Sequence, residues 1–370
     1  MTMSQIYLHI PFCVRKCGYC DFYSEAAVSG ELPSFLDALH REINLRSVDP
    51  SGRAETVETV FFGGGTPSLL KPESIEGLLE RIRRAFRMAP KAEISIEVNP
   101  GTVTADELRG YRAAGVNRIS LGVQSFSDAD LAMLGRIHSA EDGRRAVRAA
   151  REAGFRNLGL DLIFGIPGQT PDRWENTLET ALSLAPEHLS AYALTVHPHT
   201  PFGRRVHNGE WTLPGEDELT VMFRNASERL TAAGYEHYEV SNFALPGLRC
   251  RHNEGYWTFR PYLGFGPSAH SFAGGRRFWN VADLREYMDR LSRNQLPVAG
   301  TERIGGNKRR LEAIALGLRR REGVLLEWIG EKKDRIASLV DEGIALVEDG
   351  SLKLTEKGFL LADAVAAELA

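Results

Sequence analysis

The sequence predicts an α/β chain, and three observations carry that prediction. Apolar β-like runs alternate with helically spaced segments through roughly the first 200 residues. The β-like runs are near-continuous, as in parallel sheets covered on both faces. Polar motifs recur where those runs end. Ile6–Ile10 reads as a short strand ahead of a cysteine cluster. In Leu32–Arg46, Phe35, Leu36, Leu39 and Ile43 share one helical face. Val57–Phe62 is β-branched and aromatic and runs into Gly63-Gly64-Gly65. Glu73–Phe86 is helical, with Ile75, Leu78, Leu79 and Ile82 as its stripe. Strands then follow at Glu93–Val98, Arg118–Val123, Leu158–Ile166 and His188–Val196. Helices fall between them at Thr104–Ala114, Asp128–Leu134, Ala140–Ala153 and Arg173–Leu184. About six βα units result, which fits either a doubly wound sheet or a full or partial barrel. In both architectures the C-terminal strand edge carries the site.

The pattern changes after about residue 205. Glu216–Ala233 is helical, Tyr238–Phe243 is strand-like, and an aromatic, glycine-rich stretch runs from Gly247 to Trp279. Val324–Ile329, Lys333–Glu342, Leu346–Leu354 and Lys357–Leu369 read as helix, helix, hairpin, helix, a winged-helix-like order. The expected division is 1–205, 206–300 and 301–370. The last unit carries too much acid to argue for DNA.

Composition narrows the function classes. The chain has 370 residues, 43% hydrophobic and 25% charged, with a formal net charge of −4. Those are globular values. No polybasic field argues for nucleic acid or an anionic membrane. No apolar run is long enough to cross a bilayer. Ile6–Ile10 leads straight into the cysteines without a signal-peptide core, so a cytoplasmic location is expected.

Three of the four cysteines, Cys13, Cys17 and Cys20, lie within eight residues, and Cys250 stands apart. Sparse, clustered cysteines read as metal ligands more than as a disulfide framework. Three thiolates suit an iron–sulfur cluster that keeps one iron open. Structural zinc would need a fourth ligand, from Cys250 or a histidine.

The residues around the cysteines carry a resemblance. Tyr7–Cys13 (YLHIPFC) with Cys17–Phe22 (CGYCDF) resembles the radical S-adenosylmethionine (SAM) superfamily. More narrowly it resembles the branch of oxygen-independent coproporphyrinogen III dehydrogenases and HemW-type haem chaperones. Phe62–Pro67 (FGGGTP), Glu97–Thr102 (EVNPGT), Leu121–Phe126 (LGVQSF), Arg136–His138, Asp161–Pro167 (DLIFGIP) and His252-Asn253-x-x-Tyr256-Trp257 extend it over essentially the whole chain. The resemblance implies a partial (βα)6 barrel of the triosephosphate-isomerase (TIM) type, followed by a mixed, winged-helix-like C-terminal domain. It implies a [4Fe–4S] cluster on Cys13, Cys17 and Cys20, and SAM bound near Tyr7, Tyr19, Gly64, Gly65, Thr66, Glu97, Gln124, Arg136 and Asp161. Glycine lets backbone approach a ligand closely, and an arginine fork suits a carboxylate.

Within the branch, as the resemblance has it, the dehydrogenases carry a further cysteine two residues after the last cluster ligand. Here that residue is Phe22. They also carry an N-terminal extension, whereas the first cluster cysteine here is residue 13. Both features point to a haem chaperone, with porphyrin-modifying radical chemistry as the alternative; whether the chain is an enzyme is left open. In the chaperones, His252, Asn253, Tyr256 and Trp257 correspond to a segment linked to haem. A packed, hydrogen-bonded interdomain corner is the competing reading of those residues. Cys250 is a second candidate for haem iron, and His237 and His270 are weaker ones. His197 stands where many relatives have glutamate. The partners this implies are haem, haem-requiring apoproteins such as respiratory enzymes and an electron donor. Peripheral membrane contact through the client and a homodimer are compatible with it, and nucleic acid is not expected.

Overall fold

The computed structural model describes residues 4–26, 30–48 and 56–370. Six parallel strands lie side by side in chain order: β1 (Ser4–Ile10), β2 (Val57–Gly64), β3 (Met88–Val98), β4 (Arg118–Gln124), β5 (Leu158–Phe164) and β6 (His188–Ala193). A doubly wound sheet reverses strand order partway, and this run of strands does not. The main connecting helices are Glu31–Val48, Pro72–Ala85, Ala105–Ala114, Ala140–Glu152 and Pro171–Ser183. Their ends obey local rules. Thr104 with Glu107 and Ser139 with Asp142 form capping boxes, and Pro72 and Pro171 occupy first turns.

Residues beyond 205 extend the same sheet at both edges. β7 (Glu236–Glu239) and β8 (Asn242–Ala244) form a hairpin beside β6, where the sequence suggests one strand. The aromatic, glycine-rich stretch resolves into the helix Arg251–Trp257, β9 (Tyr262–Phe265), β10 (His270–Ala273) and β11 (Arg276–Asn280). With β12 (Val298–Arg303) the order is β12-β11-β10-β9-β1-β2-β3-β4-β5-β6-β8-β7. β9 runs parallel to β1.

The pleat sorts side chains onto two faces. Ile6, Leu8, Val60, Phe62, Ile94, Ile96, Ile119, Leu121, Leu158, Leu160 and Leu189 join Leu39, Ile75, Leu78, Leu108, Val147 and Leu178 of the helices in one continuous core. The register aligns the alternate residues on the opposite face: Gln5 with Thr59, Thr59 with Glu93, Glu97 with Ser120, and Asp161 with Ser190. The expectation that both faces are apolar is therefore corrected. Phe61, Gly63, Gly159 and Ile163 occupy the second face and mask its alternation in the sequence.

A buried polar knot fastens the first helix to the β9–β11 edge. Glu42 and Arg46 are both buried and paired at 3.0 Å. Asn280 Nδ2 and the Tyr287 hydroxyl donate to Glu42 at 2.8 and 2.7 Å, and Gly266 N–H donates at 2.9 Å. Arg46 also donates to Asn280 Oδ1 at 2.8 Å.

The last segment comprises the helices Gly306–Leu318, Leu326–Ile329, Lys333–Asp341, Glu356–Phe359 and Ala362–Leu369 around the hairpin Ala345–Glu348 and Ser351–Leu354. Val324 and Leu325, expected to be helical, instead pair with Leu352 and Ser351 as a third strand. Among the described residues, no helix is long and apolar enough to cross a membrane.

Candidate cofactor centre at the strand ends

The cysteine loop leaves the C-terminal end of β1. Cys13, Cys17 and Cys20 are free and half-buried. Cys20 N–H donates to Cys17 O at 3.2 Å, and Gly18 O accepts Phe202 N–H at 3.0 Å, so the loop is seated against the helix Pro201–His207. Two sulfurs have donors: Thr66 Oγ1 reaches Cys13 at 3.5 Å and Arg136 Nη1 reaches Cys17 at 3.5 Å. Burial raises the Cys20 thiol pKa, with smaller upward contributions from Cys17 and Cys13. Among the described residues, no three His, Cys, Asp or Glu side chains converge as a single-ion site would. Three soft donors on one half-buried loop are chemically the set that a thiolate-held iron–sulfur cluster takes. Val14 and Phe22 on the loop, and Ile137, which lines a cleft with Val14, are exposed apolar side chains.

Beside the loop, Gly65 N–H donates to Ile10 O at 2.8 Å and Thr66 N–H to Phe12 O at 2.7 Å. A Cβ on Gly65 would meet Phe12 O at 2.7 Å, so only glycine lets these backbones close up. Gly64 has φ +111° and donates to Glu97 Oε2 at 3.2 Å. Asp161 accepts from Ser120 at 3.0 Å and from Ser190 at 2.8 Å. Burial raises the Asp161 carboxyl pKa. Burial and the Asp161 charge push the Glu97 carboxyl up to about 8 against the Gly64 N–H. Gln124 adopts φ +66° at the end of β4, a strained conformation for a non-glycine residue.

Arg136 donates to Asn99 Oδ1 at 2.5 Å and to Gly122 O at 2.8 Å, while its Nε is buried without a protein acceptor. That orphaned donor suits an anionic group. Arg136, Cys17, Thr66, Asn99 and Thr102 line one narrow cleft with the loop residues Val14 and Arg15. The Tyr7 hydroxyl is 3.2 Å from His9 Nδ1, and burial raises its pKa well above the ordinary value. Burial likewise raises Tyr19, which lies near Arg136. Asn99 and His9 were legible inside the quoted motifs but were not singled out. Asn99 bridges Thr66 (3.0 Å) and Arg136, and His9 pins the Tyr23 carbonyl at 2.8 Å.

The His252 segment occupies the other end of this polar face. The helix Arg251–Trp257 packs against Gln5 of β1, Thr59 and Phe61 of β2 and Glu93 of β3. His252 N–H donates to Glu93 at 3.2 Å, and Gln5 Nε2 donates to His252 O at 2.8 Å. The His252 ring is buried and stacked on Phe61 at 5.0 Å. Both its nitrogens are engaged, Nδ1 with Thr59 Oγ1 at 2.7 Å and Nε2 with Tyr256 OH at 3.0 Å. A Cβ on Gly255 would overlap the Gln5 side chain. Both ring nitrogens of His252 are thus hydrogen-bonded, and its surroundings are those of a packed corner. Cys250 is also buried, and burial with the Glu93 charge pushes its thiol up to about 12. Asn253 and Trp257 are half-buried, with the Arg319 guanidinium 5.6 Å from the Trp257 ring centre. His237 is buried, stacked on Phe243 at 4.0 Å. His270 is exposed, stacked on Trp279 at 5.7 Å. His197 Nδ1 lies 3.7 Å and His199 Nε2 2.5 Å from the two oxygens of Asp21, next to Cys20.

Burial pushes the His252 pKa down to about 3. Its contribution is present above the unfolded value, about 6.5, and is lost as pH falls toward 3. His252→Ala should cost about 2–4 kcal/mol in urea unfolding and should flatten acid sensitivity across that window. For Glu97 the sign is opposite. Its folded pKa exceeds the unfolded value, so the contribution is full below about 4.3 and is lost as pH rises toward 8. Melting temperatures of Glu97→Gln should therefore fall less than those of the parent chain between pH 5 and 8, on the order of the window set by those values.

Three thiols on one loop beside a glycine and carboxylate cradle define a class of site, and residues 7–181 match the family model described as Radical SAM superfamily. The chain is 41% identical over 364 residues to the heme chaperone HemW of Mycobacterium tuberculosis, covering 97% of this chain and 93% of that protein. It is 35% identical over 373 residues to the heme chaperone HemW of Bacillus subtilis, covering 98% of each. Among solved structures, the coproporphyrinogen III oxidase HemN from Escherichia coli, described as a radical SAM enzyme, superimposes with a TM-score of 0.86 at 26% identity, over 100% of this chain and 90% of that one. The chain belongs to the HemW family of the radical SAM superfamily.

Proposed function

We propose that this chain is a cytoplasmic haem chaperone that holds a [4Fe–4S] cluster and SAM and delivers haem to apoproteins such as respiratory enzymes. The observation that carries the reading is the three-thiol loop joined to the Gly64–Glu97–Arg136 cradle, in a chain matching heme chaperones almost end to end. Cys13, Cys17 and Cys20 would hold the cluster. Gly64, Gly65, Thr66, Glu97, Gln124, Arg136 and Asp161, with Tyr7 and Tyr19, would hold SAM. When bound, the cluster supplies one electron at an open iron. Arg136, with its unpartnered Nε, would take a carboxylate. Glu97, whose carboxyl pKa burial pushes up to about 8, would release its proton to solvent as a cationic ligand group comes to lie beside it.

We further infer that the six sequential strands roll into a partial barrel, followed by a barrel extension and, from residue 301, a winged-helix-like unit. An electron donor, a homodimer and membrane contact through a client belong to the same proposal. The similarity to HemN favours a second reading, porphyrinogen-modifying radical chemistry. Anaerobic incubation with SAM, reductant and coproporphyrinogen III separates the two. The chaperone reading expects no vinyl product, and catalytic vinyl formation would overturn it.

A further inference from the structure

The last segment of the chain carries a small sheet whose outer strand is open. The spatial order of its strands is Val324–Leu325, Ser351–Leu354, Ala345–Glu348. Among the described residues, Ala345–Glu348 pairs only with Ser351–Leu354. Asp349 and Gly350, with φ +51° and +72°, make the turn between them. Beyond the other end, Thr355 N–H donates to Ile344 O at 3.0 Å. Antiparallel bonding alternates along a strand. Ile344, Leu346 and Glu348 therefore bond inward, and the N–H and C=O of Val347 point outward.

Natural sheet edges are blunted by lysine, proline or bulges. This one carries Leu346 and Val347, 40% and 47% exposed, on its two faces. Acids bracket it. Asp341 and Glu342 precede the strand, Glu348 and Asp349 close it, and all four are exposed. Arg335 pairs with Glu342 and Lys353 with Glu348. Residues 324–370 hold five Lys or Arg and ten Asp or Glu, a net of −5 in a chain whose total is −4. The same segment is fastened beside the helix Arg251–Trp257. Arg319 bridges the two, donating to Asp363 at 2.8 Å with its guanidinium 5.6 Å from the Trp257 ring centre. The Phe359 ring lies 5.1 Å from that of His237.

An open edge with apolar side chains takes an extended segment as an added strand. The acids select the charge of that segment. A second copy would bring its own four carboxylates to the same edge, and like charges across a strand pair are destabilising. An anionic membrane surface attracts basic segments, not acidic ones. A basic segment meets neither obstacle. Cytoplasmic segments of membrane proteins are rich in Lys and Arg, and respiratory enzymes are among the clients of the proposed chaperone. We propose that the edge Ala345–Glu348 captures an extended, basic segment of the haem-receiving apoprotein by strand addition. Apolar side chains of that segment would lie against Leu346 and Val347, and its cations against Asp341, Glu342 and Asp349. Docking there would bring the client beside the helix Arg251–Trp257. The inference rests on the haem-chaperone reading.

The test uses the full-length chain and a short labelled peptide with a Val-Ile-Val centre and lysines at both ends. The same peptide with glutamates at its ends is the control. Binding is read by fluorescence anisotropy at low and high salt. The proposal expects only the lysine-ended peptide to bind, and less tightly at high salt. Val347→Pro removes an outward N–H and leaves the bonds to Ser351–Leu354 in place, and it should weaken binding at least about tenfold. Asp341→Lys with Asp349→Asn should weaken it at low salt and reduce its salt dependence. Glu80→Lys, on the helix Pro72–Ala85, should bind as the parent does. An unchanged melt confirms that each variant is folded. Haem uptake by the cluster-reconstituted chain, followed by the Soret band, should be the same in all of them. Haem transfer to apomyoglobin tailed with the lysine-ended peptide should be faster than to untailed apomyoglobin, and Val347→Pro should remove that advantage. Equal binding of the two peptides, or parent-like binding in both edge variants, would overturn the proposal while leaving the chaperone reading intact. No haem uptake by the parent chain would overturn the chaperone reading and the client assignment with it. Dimerisation of the parent abolished by Val347→Pro, with no peptide binding, would assign the edge to a second copy and overturn the proposal.

Discussion

Serine at Cys13, Cys17 or Cys20 should reduce iron in the anaerobically reconstituted chain from about four atoms to well below one. The visible cluster absorbance should disappear with it. Each thiol is one of three ligands, so removing one leaves two, too few to hold a cubane. The apo chain should barely notice. The three side chains are half-buried on a loop whose fastening comes from backbone bonds such as Phe202 N–H to Gly18 O. Cys250→Ser should leave the iron count unchanged, because that thiol sits beside Glu93 at the opposite end of the polar face. Iron analysis with parallel thermal melts checks both parts. Retention of four irons in any of the three loop variants would remove the loop from the cluster site.

Glu42→Ala should destabilise the chain by about 3–5 kcal/mol, the usual cost of leaving one member of a buried pair alone. Arg46 would keep its Asn280 contact but lose its carboxylate, and Gly266 N–H and the Tyr287 hydroxyl would both lose their acceptor. Replacing the pair together, as Glu42→Leu with Arg46→Met, should recover part of that loss, because no lone charge is left buried. Urea unfolding of the single and double variants measures the difference. Equal losses would show that the knot contributes through packing alone.

The part of the fold nearest the cysteines was the most legible. The succession of βα units, the glycine run that ends β2, Glu97 and Gln124 near the ends of β3 and β4, and Asp161 within β5 all follow from local spacing and propensity. The hidden polar face was not legible, because Phe61, Gly63 and Gly159 break the period-2 pattern that would reveal it. The edge strands β9–β12 were missed for another reason. They are short, and β9, through which they join the sheet, pairs with β1 across more than two hundred residues, as Gln5 with Tyr262 shows. His252 was legible as a residue of interest but not as a buried one. The motif lists residue types, while Thr59, Gln5 and Glu93, which decide what its ring and backbone can do, are supplied by other strands.

Haem hand-off separates a chaperone from a protein that merely binds haem. The full-length, cluster-containing chain would be loaded with haem under anaerobic conditions, freed of excess and mixed with an apo-haem protein while the Soret band is followed. A haem chaperone should take up about one haem per chain saturably and then pass it on, with the acceptor's spectrum replacing its own. No saturable uptake, or haem that stays on the chain in the presence of the acceptor, would contradict it.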